Sequence, residues 1–316
     1  MKQLNTSVRQ LVLLLGLTGS LLSLPAEAAL SAATPAVQQQ QACACFEVTV
    51  IGQGPAVILI PGLASSGEVW QSTVEALKNN YQLHILTLAG FAGVKPLPAD
   101  AWEKGYLQTQ QQAILQYIAG QQLEKPAVIG HSLGGYLALA LAARAPEQIG
   151  AAINVDGLPA LGALFAQAAA NNTNDNTADL VSENQPAAPA SFDPMAMAQG
   201  MANNESWHQR IVNDMSRSDG MTSGRAMGEL MQADLRPELS AIRVPVLTLG
   251  ALQSGAPYTT PEQVQANYED QLANAPTALH RFAFAADSKH FIMADAPLWL
   301  NKQIQQFLME NMAGGH

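Results

Sequence analysis

Short apolar runs alternate with stretches of helical spacing along most of the chain, which predicts strands and helices taken in turn. Residues 56–60 are apolar without a break, the mark of a strand covered on both faces by helices. Residues 83–88, 127–129, 151–155, 244–249 and 279–285 read as further strands. Residues 46–50 instead alternate, as a half-buried strand does, and Gly52-Gln53-Gly54-Pro55 turns the chain after them. Helical spacing marks residues 69–77, 107–121, 136–144, 261–273 and 297–312. This alternation predicts an α/β fold: a mostly parallel central sheet with right-handed crossovers and helices on both faces.

The pattern breaks between residues 158 and 235. Residues 171–194 are rich in Asn, Thr, Ala and Pro and have little capacity to form a core, and seven of the 11 methionines fall between Met195 and Met231. Flexible, polarisable side chains concentrated in an insertion after a strand end suit a helical cap over an apolar pocket for small-molecule acyl groups. The expected organisation is therefore a core in two parts, 45–157 and 236–316, around a cap at 158–235.

The N-terminus has its own logic. Lys2 and Arg9 precede an apolar stretch at residues 11–24, and Ala26-Glu27-Ala28 offers a small-residue cleavage site. Residues 1–28 thus read as a signal peptide and 29–44 as a flexible leader, with export to a bacterial periplasm or beyond. The apolar stretch is shorter than the roughly 20 residues of a membrane span, so no stable anchor is expected after cleavage. Export permits a disulfide between the only two cysteines, Cys43 and Cys45, but the tiny loop leaves bridged and free thiols both open. Neither is a catalytic or zinc-binding candidate, and no cofactor or metal is called for. A net charge of −10 without a Lys/Arg cluster disfavours nucleic acid and anionic membranes as partners, while 48% apolar and 13% charged residues mark a globular protein. Oligomeric state is not legible.

Gly130-His131-Ser132-Leu133-Gly134 lies between a predicted strand and a predicted helix. A serine on such a sharp turn is held in a strained conformation that lifts its hydroxyl into a cleft, and flanking glycines let strand and helix approach. The Leu133 amide then sits at the positive end of a helix, ready to stabilise an oxyanion.

With Pro61-Gly62-Leu63, Trp70, Gly130 to Gly135 and His290-Phe291 before Pro297, the chain resembles the α/β-hydrolase superfamily over residues 46–312. The resemblance implies a serine hydrolase in which Ser132 is the nucleophile and His290, between the last strand and the last helix, the base. Of the other histidines, His131 is expected to pack the elbow and point away from the reacting face. His84 and His280 fall within strands, His208 lies in the cap within reach of substrate, and His316 is terminal. The superfamily's usual acid position, in the loop after residues 244–249, holds no carboxylate before Glu262. Some members place the acid one strand earlier, where Asp156 stands; turn capping before Gly157 is its other reading, and Asp287 and Glu262 are the other acids to weigh. The oxyanion donors implied are the amides of Leu63 and Leu133. Pro61 stands where relatives often have His, Thr87-Leu88-Ala89-Gly90 replaces an Asp-x-x-Gly pattern, and Lys289 takes the place of a glycine, putting a cation near the cleft mouth. The implied activity is carboxylic ester hydrolysis; amide cleavage, acyl transfer, or a binding protein that has lost catalysis are the alternatives.

Overall fold

The computed structural model describes residues 44–165 and 193–312. The signal and leader segments, Cys43 and most of the Asn-rich stretch lie outside the described residues.

Seven strands form a single sheet in the order β1-β3-β2-β4-β5-β6-β7. They are β1 (Phe46–Ile51), β2 (Ala56–Ile60), β3 (Gln82–Leu88), β4 (Ala127–His131), β5 (Ala151–Val155), β6 (Val246–Ala251) and β7 (His280–Ala285). Strand β1 pairs antiparallel with β3 at one edge, and every other pairing is parallel. Its alternation has the expected cause: Phe46 and Val48 pack inward, whereas Glu47 and Thr49 between them face solvent; Val50, on the inward face, is half exposed near the strand end.

The central strands β2, β4 and β5 are buried along their whole length. Their side chains divide by period two between two cores. Ile58, Ile60, Val128 and Ala152 face one core, with α2 (Tyr106–Gly120) and α3 (Leu133–Arg144); Val57, Leu59, Ile129 and Ile153 face the other. The second core is covered by α1 (Gln71–Leu77) and by the last helix, Pro297–Met312, through Leu300, Ile304, Phe307 and Leu308. Trp70, fully buried, seats α1 against the sheet.

Among the described residues of the insertion between β5 and β6, the helices α4 (Pro194–Met201), α5 (Glu205–Arg217) and α6 (Gly220–Gln232) reach the loops that follow the strands, Asp214 bonding Ser66 and Asp219 bonding Gly90. Each begins on an Asp or Asn whose side chain accepts an amide of the first turn, namely Asp193, Asn204 and Asp219. Helix α7 (Pro261–Gln271) carries a full capping box from Thr260 and Gln263. A short helix, α8 (Ile292–Asp295), leads into α9 (Pro297–Met312).

Some boundaries move. The strand expected at 244–249 runs from Val246 to Ala251, because Pro245 has no N–H to give to a ladder. Helix α3 starts at Leu133 rather than Tyr136, directly after the elbow serine. Cys45 is disulfide-bonded, which removes the free-thiol reading. Among the described residues no helix is long and apolar enough to cross a membrane, and no group of His, Cys, Asp and Glu could hold a metal ion.

Candidate active site

Ser132 and Asp156 each follow directly on a buried strand, β4 and β5, at positions next to the paired His131 and Val155. Each amide still makes a sheet hydrogen bond, Ser132 N–H to the Val155 carbonyl at 2.9 Å and Asp156 N–H to the Leu249 carbonyl at 2.8 Å. Each backbone then turns to positive φ, +53° at Ser132 and +50° at Asp156. Conformations of this kind cost of order 1–3 kcal/mol for a residue with a Cβ and persist only where the surroundings impose them.

The glycines of the elbow are a matter of space. A Cβ on Gly130 would lie 1.8 Å from the Gly134 carbonyl oxygen, and one on Gly134 would lie 2.4 Å from that of Ile60. Strand β4, helix α3 and the end of β2 therefore meet backbone to backbone. The same closeness brings the loop after β2 against the serine, since a Cβ on Gly62 would sit 3.2 Å from Ser132 Cβ. Leu63 follows Gly62, and Leu133 opens α3, so both expected oxyanion amides border the serine.

Asp156 faces His290 across the ends of β5 and β7. His290 Nδ1 donates to Asp156 Oδ2 at 2.6 Å. Three further donors converge on this carboxylate: the Ala251 amide (2.7 Å) and the Tyr268 hydroxyl (2.9 Å) on Oδ1, and the Ser254 hydroxyl (2.9 Å) on Oδ2. Burial by itself would raise the Asp156 pKa. The bond from His290, the histidine's charge, the Ala251 amide and Tyr268 more than offset this, and the carboxyl is held below its ordinary range. Burial, and then the charge on Asp156, push the Tyr268 phenol well above its ordinary value, so it stays a donor. The turn after Asp156 does not use its side chain: Asn154 brackets Gly157, accepting its N–H at 3.0 Å and donating to its carbonyl at 2.9 Å. The carboxylate is left to the histidine. Among the described residues Ser132 Oγ has no hydrogen-bond partner.

The other candidates are accounted for one by one. His131 does more than pack the elbow: its ring lies 4.6 Å, centroid to centroid, from that of His290, and its Nε2 donates to the His290 carbonyl at 3.0 Å. It steadies the backbone of the neighbouring histidine. His208 in α5 donates from Nε2 to the Ala202 carbonyl and ties α5 to the preceding turn. His84 bonds Tyr117 and Gln82, and His280 bonds Thr248, so both are satisfied packing residues. Asp287 presents its carbonyl to Asn203. The Lys289 ammonium crosses to the Gln199 carbonyl at the end of α4, so its charge is spent tying the inserted helices to the His290 loop. Sequence reasoning missed Tyr268, Ser254 and Asp214; spacing marked Tyr268 only as part of an apolar helix face.

The buried His131 makes the fold acid-sensitive. Burial, followed by the neighbouring charge of His290, lowers its pKa from 6.5 to about 3. Between those values the unfolded chain binds a proton that the folded chain refuses, so stability is complete above the unfolded pKa and falls as pH drops towards the folded one. From pH 6.5 to about 4.5 the loss from this ring is roughly 2–3 kcal/mol. His280, lowered by burial to about 4, acts in the same direction over this range, and Asp156, held below its ordinary 3.8, adds to the loss only at still lower pH. Urea unfolding at pH 7.5 and about 4.5 is expected to show the loss, and His131→Gln, which keeps a donor for the His290 carbonyl, to flatten it. An unchanged pH dependence in that variant would refute the attribution.

The comparisons agree with this architecture. The chain is 26% identical over 208 residues to the pimeloyl-[acyl-carrier protein] methyl ester esterase of Vibrio atlanticus, a match covering 63% of this chain and 76% of that protein. It is 35% identical over 109 residues to the protein of that name from Aeromonas hydrophila, covering 34% of this chain and 40% of the relative. Among solved structures, the enol-lactonase of Burkholderia xenovorans LB400 superposes with a TM-score of 0.62 at 17% identity, over 84% of this chain and 96% of that one. A thermophilic esterase from Thermogutta terrifontis gives 0.62 at 18% identity, over 84% and 93%. These identities speak for the fold. The family described as the alpha/beta hydrolase family matches residues 57–303, nearly the whole of the sheet and its helices, and the chain belongs to it.

Proposed function

We propose that this protein is an exported serine hydrolase that cleaves carboxylic esters through an acyl-enzyme. The observation that carries the reading is the 2.6 Å hydrogen bond from His290 Nδ1 to the buried Asp156, formed at the strand ends beside the Ser132 elbow.

With Nδ1–H given to Asp156, the imidazole presents a basic Nε2 to the serine. That nitrogen takes the Ser132 proton as Oγ bonds to the acyl carbon, and the Leu63 and Leu133 amides receive the developing oxyanion. The imidazolium, steadied by Asp156, protonates the departing alcohol. A water then loses its proton to the same nitrogen as its oxygen bonds to the acyl carbon, and as the bond to Oγ breaks the imidazolium returns that proton to Ser132, freeing the carboxylic acid. The carboxylate need not take up the proton itself: a group held ionised by four donors serves as a fixed counter-charge. The methyl ester esterases among its relatives support an ester as substrate, and the basic start, apolar stretch and Ala26-Glu27-Ala28 support export.

Fluorophosphonate treatment of fractionated cells tests all of this at once. The label is expected on Ser132, in protein from the periplasm or medium whose first residue is Ala29, with turnover of p-nitrophenyl esters. Wild-type protein that is unlabelled and inert towards short and long esters would sink the enzymatic reading, and labelled protein retaining Met1 the export.

A further inference from the structure

Helix α5 touches both halves of the proposed machinery. On its N-terminal side, the Met201 carbonyl at the end of α4 accepts the Phe291 amide at 2.9 Å, and Asp295 accepts the amides of Asn203 and of Asn204, the N-cap of α5, on one oxygen and that of Lys289 on the other. The base, His290, sits between two residues fixed in this way. At its C-terminal end, Asp214 Oδ2 accepts both the amide (2.8 Å) and the hydroxyl (2.7 Å) of Ser66. Ser66 belongs to the loop that starts at Pro61 and carries the Leu63 amide. The helix spans about 15 Å between Asn204 and Asp214.

We infer that α5 is a strut across the active site, and that Asp214 is a positioning residue for the oxyanion loop, acting through Ser66. The inference rests on the serine-hydrolase reading above. Asp214 is 3% exposed, and its other oxygen is held by Arg217 at 2.6 Å, so the carboxylate is fixed on both sides. Within the loop, the Ser65 hydroxyl donates to the Leu63 carbonyl at 3.3 Å and the Gly67 amide to Thr87 at 2.9 Å. Asp214 supplies the contacts to Ser66 from the inserted helices. Ser66 lies three residues from Leu63, whose amide must meet an oxyanion at 2.7–3.1 Å. The same corner fixes the adjacent loop: the Ser218 hydroxyl donates to the Asp214 carbonyl and accepts the Ala92 amide, and the Asp219 amide donates to the Gly90 carbonyl. The inserted helices thus hold both the loop that carries the Leu63 amide and the loop after β3.

Displacement of a reacting group by an ångström costs up to about 10²-fold. Asp214→Asn and Ser66→Ala, made in the full-length protein and assayed on a p-nitrophenyl ester, are each expected to lower kcat by about 10- to 100-fold with little change in KM. Affinity for a trifluoromethyl ketone, which presents an oxyanion to the same amides, is expected to weaken in parallel. The double variant is expected to be no slower than Asp214→Asn alone. Wild-type kcat in the folded variants, a rise in KM alone, or a fall in Tm without loss of turnover would each overturn the inference. Should Asp214→Asn not fold, Ser66→Ala, which removes one hydroxyl and keeps the amide, decides it. If Ser132→Ala retained full turnover, the underlying reading would fail instead, which the same assay distinguishes.

Discussion

Ser132→Ala is expected to lower ester turnover by about 10⁶-fold while leaving the fold intact, the size of loss seen when the nucleophile of such a unit is removed. The local structure explains why the effect should be confined to chemistry. The serine's amide is held by the Val155 carbonyl, its carbonyl accepts the Tyr136 amide of α3, and its hydroxyl has no partner among the described residues. Removing the hydroxyl therefore breaks no bond of the folded state. Ser132→Gly makes the complementary point. At φ +53° a glycine relieves the backbone, so this equally inactive variant is expected to be more stable by about 1 kcal/mol. Progress curves and thermal melts on the two variants check both halves; turnover surviving in Ser132→Ala would remove the nucleophile from the mechanism.

Asp156→Asn is expected to lower kcat by about 10⁴-fold, by giving the histidine the wrong tautomer. An amide in this place can still accept the Ala251 and Tyr268 donors on its oxygen, and asparagine tolerates positive φ. Its NH₂ group, however, then faces His290 Nδ1 and Ser254 Oγ, both of which donate in the native site. To receive that N–H, Nδ1 must give up its proton, and the proton moves to Nε2, where the base is needed. The loss is expected in kcat more than in KM, with circular dichroism unchanged. Near-normal turnover would redirect the search to another carboxylate, although Asp287 and Glu262 make no bond to His290 among the described residues.

The site was legible to different depths. Ser132 and Leu133 could be read from local pattern, because strand, glycine, serine and helix are consecutive and the turn they make depends on little else. His290 and Asp156 could be placed at strand ends by likeness to a family, yet the contact between them spans 134 residues of chain. It forms because β5, β6 and β7 lie side by side in parallel. The donors around Asp156 come from β6, the loop after it and α7, and no periodicity marks a tyrosine for that purpose. For His131 and His208 sequence position could give only a place, because their partners, the His290 and Ala202 carbonyls, are set by folding.

By itself the sequence determined the layered α/β architecture, the order of its elements and the elbow, since apolar periodicity and glycine spacing act over a few residues. Pro245 shows the limit of such local rules, moving a strand by two residues through a missing donor. The tertiary structure alone decided which carboxylate meets the histidine, what keeps that carboxylate ionised while buried, and how the inserted helices reach both the His290 loop and the loop after β2. Hydrogen bonds between distant segments have a range of about 3 Å, and only the packed sheet brings their partners within it.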